Sequence, residues 1–391
     1  MSAPVRVLFL NEGALGVGPL GHARVEAAIR CGLDDVTDVE AIFRSVPPLG
    51  PLSGGLVRGV PGLRAADLDL QASRWHLVQA LRARSVVREQ LRRGRLDAMH
   101  VVSHSIAMGL VAEMRRVPAL LSVDVPVWEH REMALWRELR PRSRRMLAPS
   151  LRYERLALEA AAYVLPWSQW ARAGIEREAP AATCVTHHPG IDLREFHPAP
   201  RTPRERPRIL FVGGRFEAKG GHDLLAALAH IDPDGSRCEL DVVTQEHVPA
   251  RPGMRVHRLG AGDPVLLDLF RQTDVFCLPS HGDASPWVVL EAMASGAPVV
   301  ASDVGGVCGL LDEGRAGVLV AVRDREALAR ALEDLLTSPG RREALGAQGR
   351  ARCERCYDAR RQTQELVELM RRASSRSTSA GRGRRRAARR G

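Results

Sequence analysis

The chain has 391 residues, 45% of them hydrophobic, and a formal net charge of +11; that length exceeds one ordinary core and suits two domains of α/β size. It shows no uninterrupted apolar run of about 18 residues, so no transmembrane helix is expected, and its seven cysteines lack framework spacing, which suits a reducing cytoplasm rather than a disulfide scaffold. The charge suggests nucleic acid until it is located: residues 371–391, RRASSRSTSAGRGRRRAARRG, hold nine arginines and no acid, leaving +2 on the rest of the chain.

That tail has too little apolar surface to fold and is expected to be a solvated, disordered segment. The alternative is peripheral contact with an anionic membrane, to which each basic residue near the surface contributes about 1 kcal/mol. Nucleic-acid binding is not expected, because no aromatics are interleaved to stack on bases.

In chain order, Val5 to Leu10 reads as a buried strand that runs straight into the glycine-rich turn NEGALGVGPLG at 11–21. A helix follows from His22 to Ile29, so this is a first strand rather than a signal peptide. Gly16 and Gly18 open a GxGxxG with Gly21, but Pro19 removes an amide that could have held phosphate, and no acid obviously follows a second strand. The plainer reading is a loop kept small so that something can approach its backbone. Residues 44–64, rich in Pro and Gly, read as an exposed loop, and Leu68 to Gly94 as a helix with arginines on its polar face.

Asp97 to Ser103 is strand-like and ends at His104-Ser105; a helix from Ile106 to Arg115 leads to the strand Ala119–Val123, which ends at Asp124. His104 and Asp124 therefore lie at strand C-termini, the edge where open α/β sheets bind ligands. A lone histidine at a strand end is more often a structural residue than a catalytic one. Ser168 follows the strand-like Ala162–Pro166 in the same way. Residues 199–207, APRTPRERP, crowd prolines and charges together and read as the linker between domains. The adjacent His187 and His188 would point to opposite faces of a strand and are not read as a metal site.

The second domain opens with the strand Arg208–Gly213, a loop carrying Arg215 and Lys219, and a helix from His222 to His230. Two cations on a strand-to-helix loop can converge on phosphate oxygens, Arg in a bidentate way; a solvated pair is the plain alternative. Strands Glu239–Thr244 and Arg255–Gly260 and a helix Pro264–Thr273 continue an alternation that argues a second parallel sheet. The stretch Asp274 to Val304 then reads strand, loop, helix, strand, with Ser285 as N-cap and Pro286 in the first turn. Asp283 lies in the loop and Glu291 about two turns along the helix, so two acids flank a helix start suited to a diphosphate.

These residues carry a resemblance. With VGGRFEAKGG at 212–221, PGIDLREFHP at 189–198, the acid pair Asp283 and Glu291 leading into EAMASGAPVVAS, VGG at 304–306 and GVLV at 317–320, the chain resembles the retaining nucleotide-sugar-dependent glycosyltransferases of the GT-B fold. This is the large family of bacterial mannosyl- and glucosyltransferases, glycosyl transferases group 1. The resemblance implies an α/β architecture of two Rossmann-like parallel-sheet domains facing each other across a cleft, with a C-terminal helix crossing back to the first. The expected domains are an acceptor-binding 1–198, the linker 199–207, a nucleotide-sugar-binding 208–340, a helical segment 341–370 and the tail 371–391.

By the same resemblance, Arg215 and Lys219 bind the donor diphosphate, and Glu291 accepts hydrogen bonds from the ribose diol. Asp283 faces the transferred sugar, followed by Ala284, Ser285 and Trp287 at the helix start, while Gly16 and Gly18 approach the donor from the first domain. Two departures stand out: Asp283 occupies a position usually held by glutamate, and Asp124 stands where many relatives have a histidine, leaving Asp124 or His104 for the catalytic role in the first domain. No metal and no cofactor beyond the sugar-nucleotide co-substrate is implied. The DxD strings at Asp67–Asp69 and Asp232–Asp234 read as chance matches, and the Cys353/Cys356 pair lacks a second ligand pair.

The implied activity is transfer of a hexose to a hydroxyl of a sugar, lipid-linked or small-molecule acceptor with retention. The expected setting is cell-surface polysaccharide, glycolipid or secondary glycoside synthesis, in the cytoplasm or on the cytoplasmic face of a membrane. The alternatives are a nucleotide-sugar epimerase or phosphorylase of the same architecture, or a non-catalytic nucleotide-sugar-binding protein.

Overall fold

The computed structural model describes residues 4–13, 20–66, 68–132, 142, 145–202 and 204–387. The chain divides into two compact units: Met1–Pro189 together with Arg360–Gly391, and Gly190–Ala359.

The first unit is built on five parallel strands, β1 (Val5–Asn11), β2 (Val39–Ser45), β3 (Ala98–Val102), β4 (Ala119–Val123) and β5 (Tyr163–Pro166), in the order β2-β1-β3-β4-β5. β3, β4 and β5 are buried along their whole length, as continuous apolar runs covered on both faces must be. β2, at the edge, is only half-buried, and its mixed sequence VEAIFRS hides it from a search for buried runs. Leu8, Leu10, Val87, Ile106, Leu158 and Ile175 belong to the core between this sheet and its helices. The chain runs from β1 out to β2 and returns to β3, so strand order reverses between β1 and β3. That reversal opens a crevice beyond the strand C-termini.

The second unit has six parallel strands, β6 (Arg208–Val212), β7 (Glu239–Val243), β8 (Met254–His257), β9 (Val275–Leu278), β10 (Val299–Ser302) and β11 (Val318–Val320), in the order β11-β10-β9-β6-β7-β8. Its core includes Phe211, Phe216, Phe270 and Phe276. From β6 the sheet grows one way through β7 and β8, and from β9 the other way. The switch point is therefore the β6/β9 pair, joined through Ile209–Val275 and Leu210–Phe276.

Several expectations differ from this arrangement. Residues 44–64 include two short helices, Pro51–Leu56 and Pro61–Ala65, each started by a proline whose missing N–H costs nothing there. The helix read over 106–115 is two short helices, His104–Ala107 and Val111–Met114. The division between units falls at Pro189/Gly190 rather than at the proline-rich 199–207. Phe196 is buried in the second core, Ile191 N donates to Tyr357 O at 2.7 Å, and Arg201 and Arg204 reach Gly296 O and Gln272 O at 2.9 and 2.8 Å. Linker-like composition at 199–207 thus belongs to a strap lying on the second unit.

The helix Ala359–Ala387 rejoins the first unit and carries the opening of the basic tail, which was expected to be disordered from 371. The first residues of that tail are anchored: Arg371 pairs with Asp38 at 2.6 Å, Ser374 Oγ donates to Asp97 O at 3.0 Å, and Ala373 is buried. Among the described residues no helix is long and apolar enough to cross a membrane.

Candidate functional site

At the switch point of the second unit two loops leave adjacent strand ends. The loop after β6 doubles back on itself: Lys219 N donates to Arg215 O at 3.0 Å and Gly221 N to Phe216 O at 2.8 Å, while Phe216 N is held by Glu246 Oε2 at 2.7 Å. Gly220 closes the loop at φ 75°, and a β-carbon there would stand 1.8 Å from Pro279 O, at the start of the loop after β9. Only glycine tolerates both the left-handed backbone and that approach. The contact presses the two loops together, and His281 N donates to Ala218 O at 3.0 Å across it. Gly220→Ala is therefore expected to lower stability by about 2–5 kcal/mol, from left-handed strain plus overpacking. Thermal or urea denaturation reads the loss, and an unchanged midpoint would mean the loops part without cost.

This junction brings two of the expected residues together. Lys219 Nζ lies 2.5 Å from Asp283 Oδ2, with the lysine side chain 31% and the aspartate 10% exposed. Arg215 is exposed on the same loop. Ala284 and Ser285 are buried, and Ala284 O accepts from Gly306 N at 2.9 Å, tying the loop to the glycine pair after β10. The helix Trp287–Ala294 starts one residue later than expected, with Pro286 rather than Ser285 at the N-cap and no side-chain cap. Pro286 is extended at ψ 114°, and with no N–H it leaves the first-turn amides to Trp287 and Val288. Glu291, on the second turn, is 3% exposed.

A support that the sequence did not reveal holds this loop from behind. Asp223, on the helix Gly221–Ile231, accepts from Arg325 Nε at 2.6 Å and lies 2.6 Å from His281 Nε2. Burial alone would raise the Asp223 carboxyl, but the hydrogen bonds from His281 and Arg325 outweigh it and hold it below the usual carboxylate range. The three residues come from distant points in the chain, and no local pattern joins them.

In the first unit, the loops at the β1/β3 switch point bring Glu12 and Ser105 together: Ser105 Oγ donates to Glu12 Oε2 at 3.4 Å, and both side chains are buried. Ser103 caps the short helix His104–Ala107 from a left-handed backbone at φ 94°. His104 is buried, with Nδ1 3.8 Å from Glu154 Oε1. Asp124 is half-buried at the end of β4, its Oδ1 accepting from Val125 N at 2.8 Å. Gly16 and Gly18 lie outside the described residues. Cys353 is buried and Cys356 half-buried, and among the described residues no group of three His, Cys, Asp or Glu side chains is placed to hold a metal ion.

Glu154 sits on the helix Ala148–Ala160. It is 2% exposed, accepts from Val127 N at 2.8 Å, and burial pushes its carboxyl up to about 8. With the folded value above the ordinary 4.5, its stabilising protonated form is lost as pH rises between 4.5 and 8. Glu154→Gln keeps the acceptor for Val127. It is expected to raise the thermal midpoint at pH 8 and remove a slope of at most about 1.4 kcal/mol per pH unit. Equal pH profiles for parent and variant would assign Glu154 an ordinary carboxyl.

Comparison with known proteins adds the following. The family model described as Glycosyl transferases group 1 matches residues 206–338. A D-inositol 3-phosphate glycosyltransferase of Streptomyces bingchenggensis is 32% identical over 196 residues, 43% of this chain and 43% of its own length. An alpha-maltose-1-phosphate synthase of Mycolicibacterium smegmatis is 31% identical over 255 residues, 57% of this chain and 66% of its own. The chain thus spans between about two fifths and two thirds of these curated relatives.

Among solved structures, sucrose-phosphate synthase from Thermosynechococcus elongatus superposes with a TM-score of 0.70 at 20% identity, covering 94% of this chain and 98% of that one. A protein of Anabaena solved in complex with UDP gives 0.66 at 16%, covering 94% and 99%. At such identities the likeness speaks to fold, and the expected pair of parallel-sheet α/β domains is the fold found.

Proposed function

We propose, from the match of residues 206–338 to the model described as Glycosyl transferases group 1, that the chain moves a hexose from a nucleoside diphosphate sugar to an acceptor hydroxyl with retention at the anomeric carbon. The observation that carries this reading is the 2.5 Å Lys219–Asp283 pair at the β6/β9 switch point, beside the start of the helix Trp287–Ala294. A cation, first-turn amides and a buried acid in one place suit a ligand that has both a diphosphate and a polyol.

In this reading Lys219 exchanges Asp283 for the donor diphosphate, and Arg215 adds a second, bidentate cation. Asp283 is thereby released to accept hydrogen bonds from the hydroxyls of the sugar. Glu291 accepts from the ribose diol, since an ionised carboxylate only accepts and a vicinal diol donates twice. The bond from the anomeric carbon to the phosphate oxygen breaks, the acceptor oxygen bonds to that carbon on the same face, and its proton passes to the departing phosphate. The protein's part is to hold charge and geometry, which supports rate through positioning and electrostatics. His104 and Asp124 are the first-unit candidates for sugar contact, and His104→Ala and Asp124→Ala decide between them by which one lowers turnover while sparing nucleotide affinity.

The relatives' names specify inositol phosphate and maltose phosphate, so phosphorylated sugars and polyols are the first acceptors to try. The purified protein is screened against uridine, guanosine and adenosine diphosphate sugars by thermal shift, since a ligand that binds only the folded state raises its apparent stability. Transfer is then followed by proton NMR. A product with the donor's anomeric configuration supports the proposal; an inverted product, or release of free sugar whatever the acceptor, sinks it.

A further inference from the structure

Eight of the twelve large apolar side chains exposed among the described residues lie between Leu52 and Leu81, all in the first unit. Two helices carry the most exposed of them. Pro51–Leu56 has Leu52 and Leu56 four residues apart, 89% and 62% exposed; Gln71–Arg93 has Leu77 and Leu81, also four apart, 59% and 57% exposed. Residues at that spacing share a helix face. The shorter helix has no buried residue at all, so its leucines contribute nothing to the core.

Hydrogen bonds tie the two helices together in opposite directions. The Arg82 guanidinium donates to Ser53 Oγ at 3.0 Å and to the carbonyls of Pro47 and Pro48 at 2.6 Å each, and Arg74 Nη2 donates to Arg58 O at 2.9 Å. With residue 53 against 82 and 58 against 74, Leu52 lies along the chain near the level of Leu81, and Leu56 near that of Leu77. The two helices touch, so the exposed leucine pairs are carried on neighbouring helices.

The charge around it selects its occupant. Residues 51–95 hold nine arginines against three acids, and two further acids, Glu113 and Asp97, pair with Arg84, Arg88 and Arg95, which leaves an excess of four. A second copy of the chain would set like charge against like, which opposes association through this face. A lipid surface with anionic headgroups reverses the sign: arginines meet phosphate while leucines enter the boundary with the acyl chains. We propose that the face formed by the helices Pro51–Leu56 and Gln71–Arg93 docks on an anionic lipid bilayer, with Leu52, Leu56, Leu77 and Leu81 inserted among the headgroups. The inference stands on exposure and charge and is independent of the transfer reaction.

The test is sedimentation of the full chain with vesicles of equal parts phosphatidylcholine and phosphatidylglycerol, and with phosphatidylcholine alone. The expected result is binding to the first and not the second. The full-length variant L52S/L56S/L77S/L81S is expected to partition at least about tenfold less. Its thermal midpoint should be unchanged, because the four side chains are already exposed. A second full-length variant, with the tail arginines from Arg376 onward changed to glutamine, should still depend on the leucines. The proposal is overturned if the parent ignores anionic vesicles, or if the leucine variant binds as well as the parent. Binding that vanishes with the tail arginines and is indifferent to the leucines also overturns it, as does light scattering that shows the leucine changes turning a dimer into a monomer.

Discussion

Lys219→Ala is expected to lower kcat/KM for sugar transfer by about 10²–10³-fold, the range for removing one preorganised electrostatic contact from an active site. It should also weaken binding of the free nucleoside diphosphate. Lys219 is held by a loop that folds back through Lys219 N to Arg215 O, and by a glycine that lets the next loop come within contact. The charge is thus placed before any ligand arrives, which is what makes its removal costly. A second outcome must be separated, because Asp283 is buried and would lose its 2.5 Å partner. An uncompensated acid lowers stability whether or not the lysine touches a ligand. The double change Lys219→Ala with Asp283→Asn removes that penalty. If it restores stability while nucleotide affinity stays lost, Lys219 grips the phosphates. If affinity returns with stability, the lysine only neutralises Asp283 and the assignment fails.

Acid is expected to unfold the first unit before the second. His76, His100, His187 and His188 are all held neutral by burial, with His76 lowered to about 4 and His100 and His188 to about 3; the charge of His187 adds to the burial at the last two. Each has a folded value below the ordinary 6.5. Its contribution is therefore fully present above pH 6.5 and is lost as pH falls from there towards the folded value. At most about 1.4 kcal/mol per pH unit is lost for each histidine, and about four times that together.

Glu154 acts in the opposite sense and offsets roughly one of the four until pH 4.5. The lowered carboxyls of Glu113, Asp223, Asp232 and Glu239 change their contribution only below their ordinary values of 4.5 or 3.8, so the interval from 6.5 to 4.5 belongs to the histidines less the Glu154 offset. Five of the six tryptophans lie in the first unit, so fluorescence reports mainly on it. A first-unit transition whose urea midpoint stays level from pH 6.5 to 4.5 would contradict this account. His187 also touches the last helix, its Nε2 lying 2.9 Å from Gln362 O.

Much of the fold was legible because its signals are local. Runs such as RILFV, VFCL and VVAS are too short for helices and rich in β-branched residues, which marks them as buried strands, and the helices between them impose parallel pairing. Edge strand β2 escaped notice because a half-buried strand mixes polar and apolar residues. The unit boundary was displaced because Pro and Arg mark a linker by composition alone, whereas Arg201 and Arg204 here bond to carbonyls of the second unit. Pro286 at the N-cap shows the same limit at the scale of one residue.

The sequence by itself determined which strands are buried, that two α/β units alternate along the chain, and that Arg215, Lys219, Asp283 and Glu291 stand on loops or a helix start just beyond strand ends. These follow from periodicity and turn chemistry, which act over a few residues. Tertiary structure alone decided that β6 lies beside β9, and therefore that Lys219 meets Asp283 across 64 positions of sequence. It also decided that Arg325 and Asp223 brace His281, that Glu154 is buried, and that Leu52 and Leu77 are left exposed on two helices that touch. Strand order and helix docking arise from packing between segments far apart in the chain, and no window of neighbouring residues carries that information.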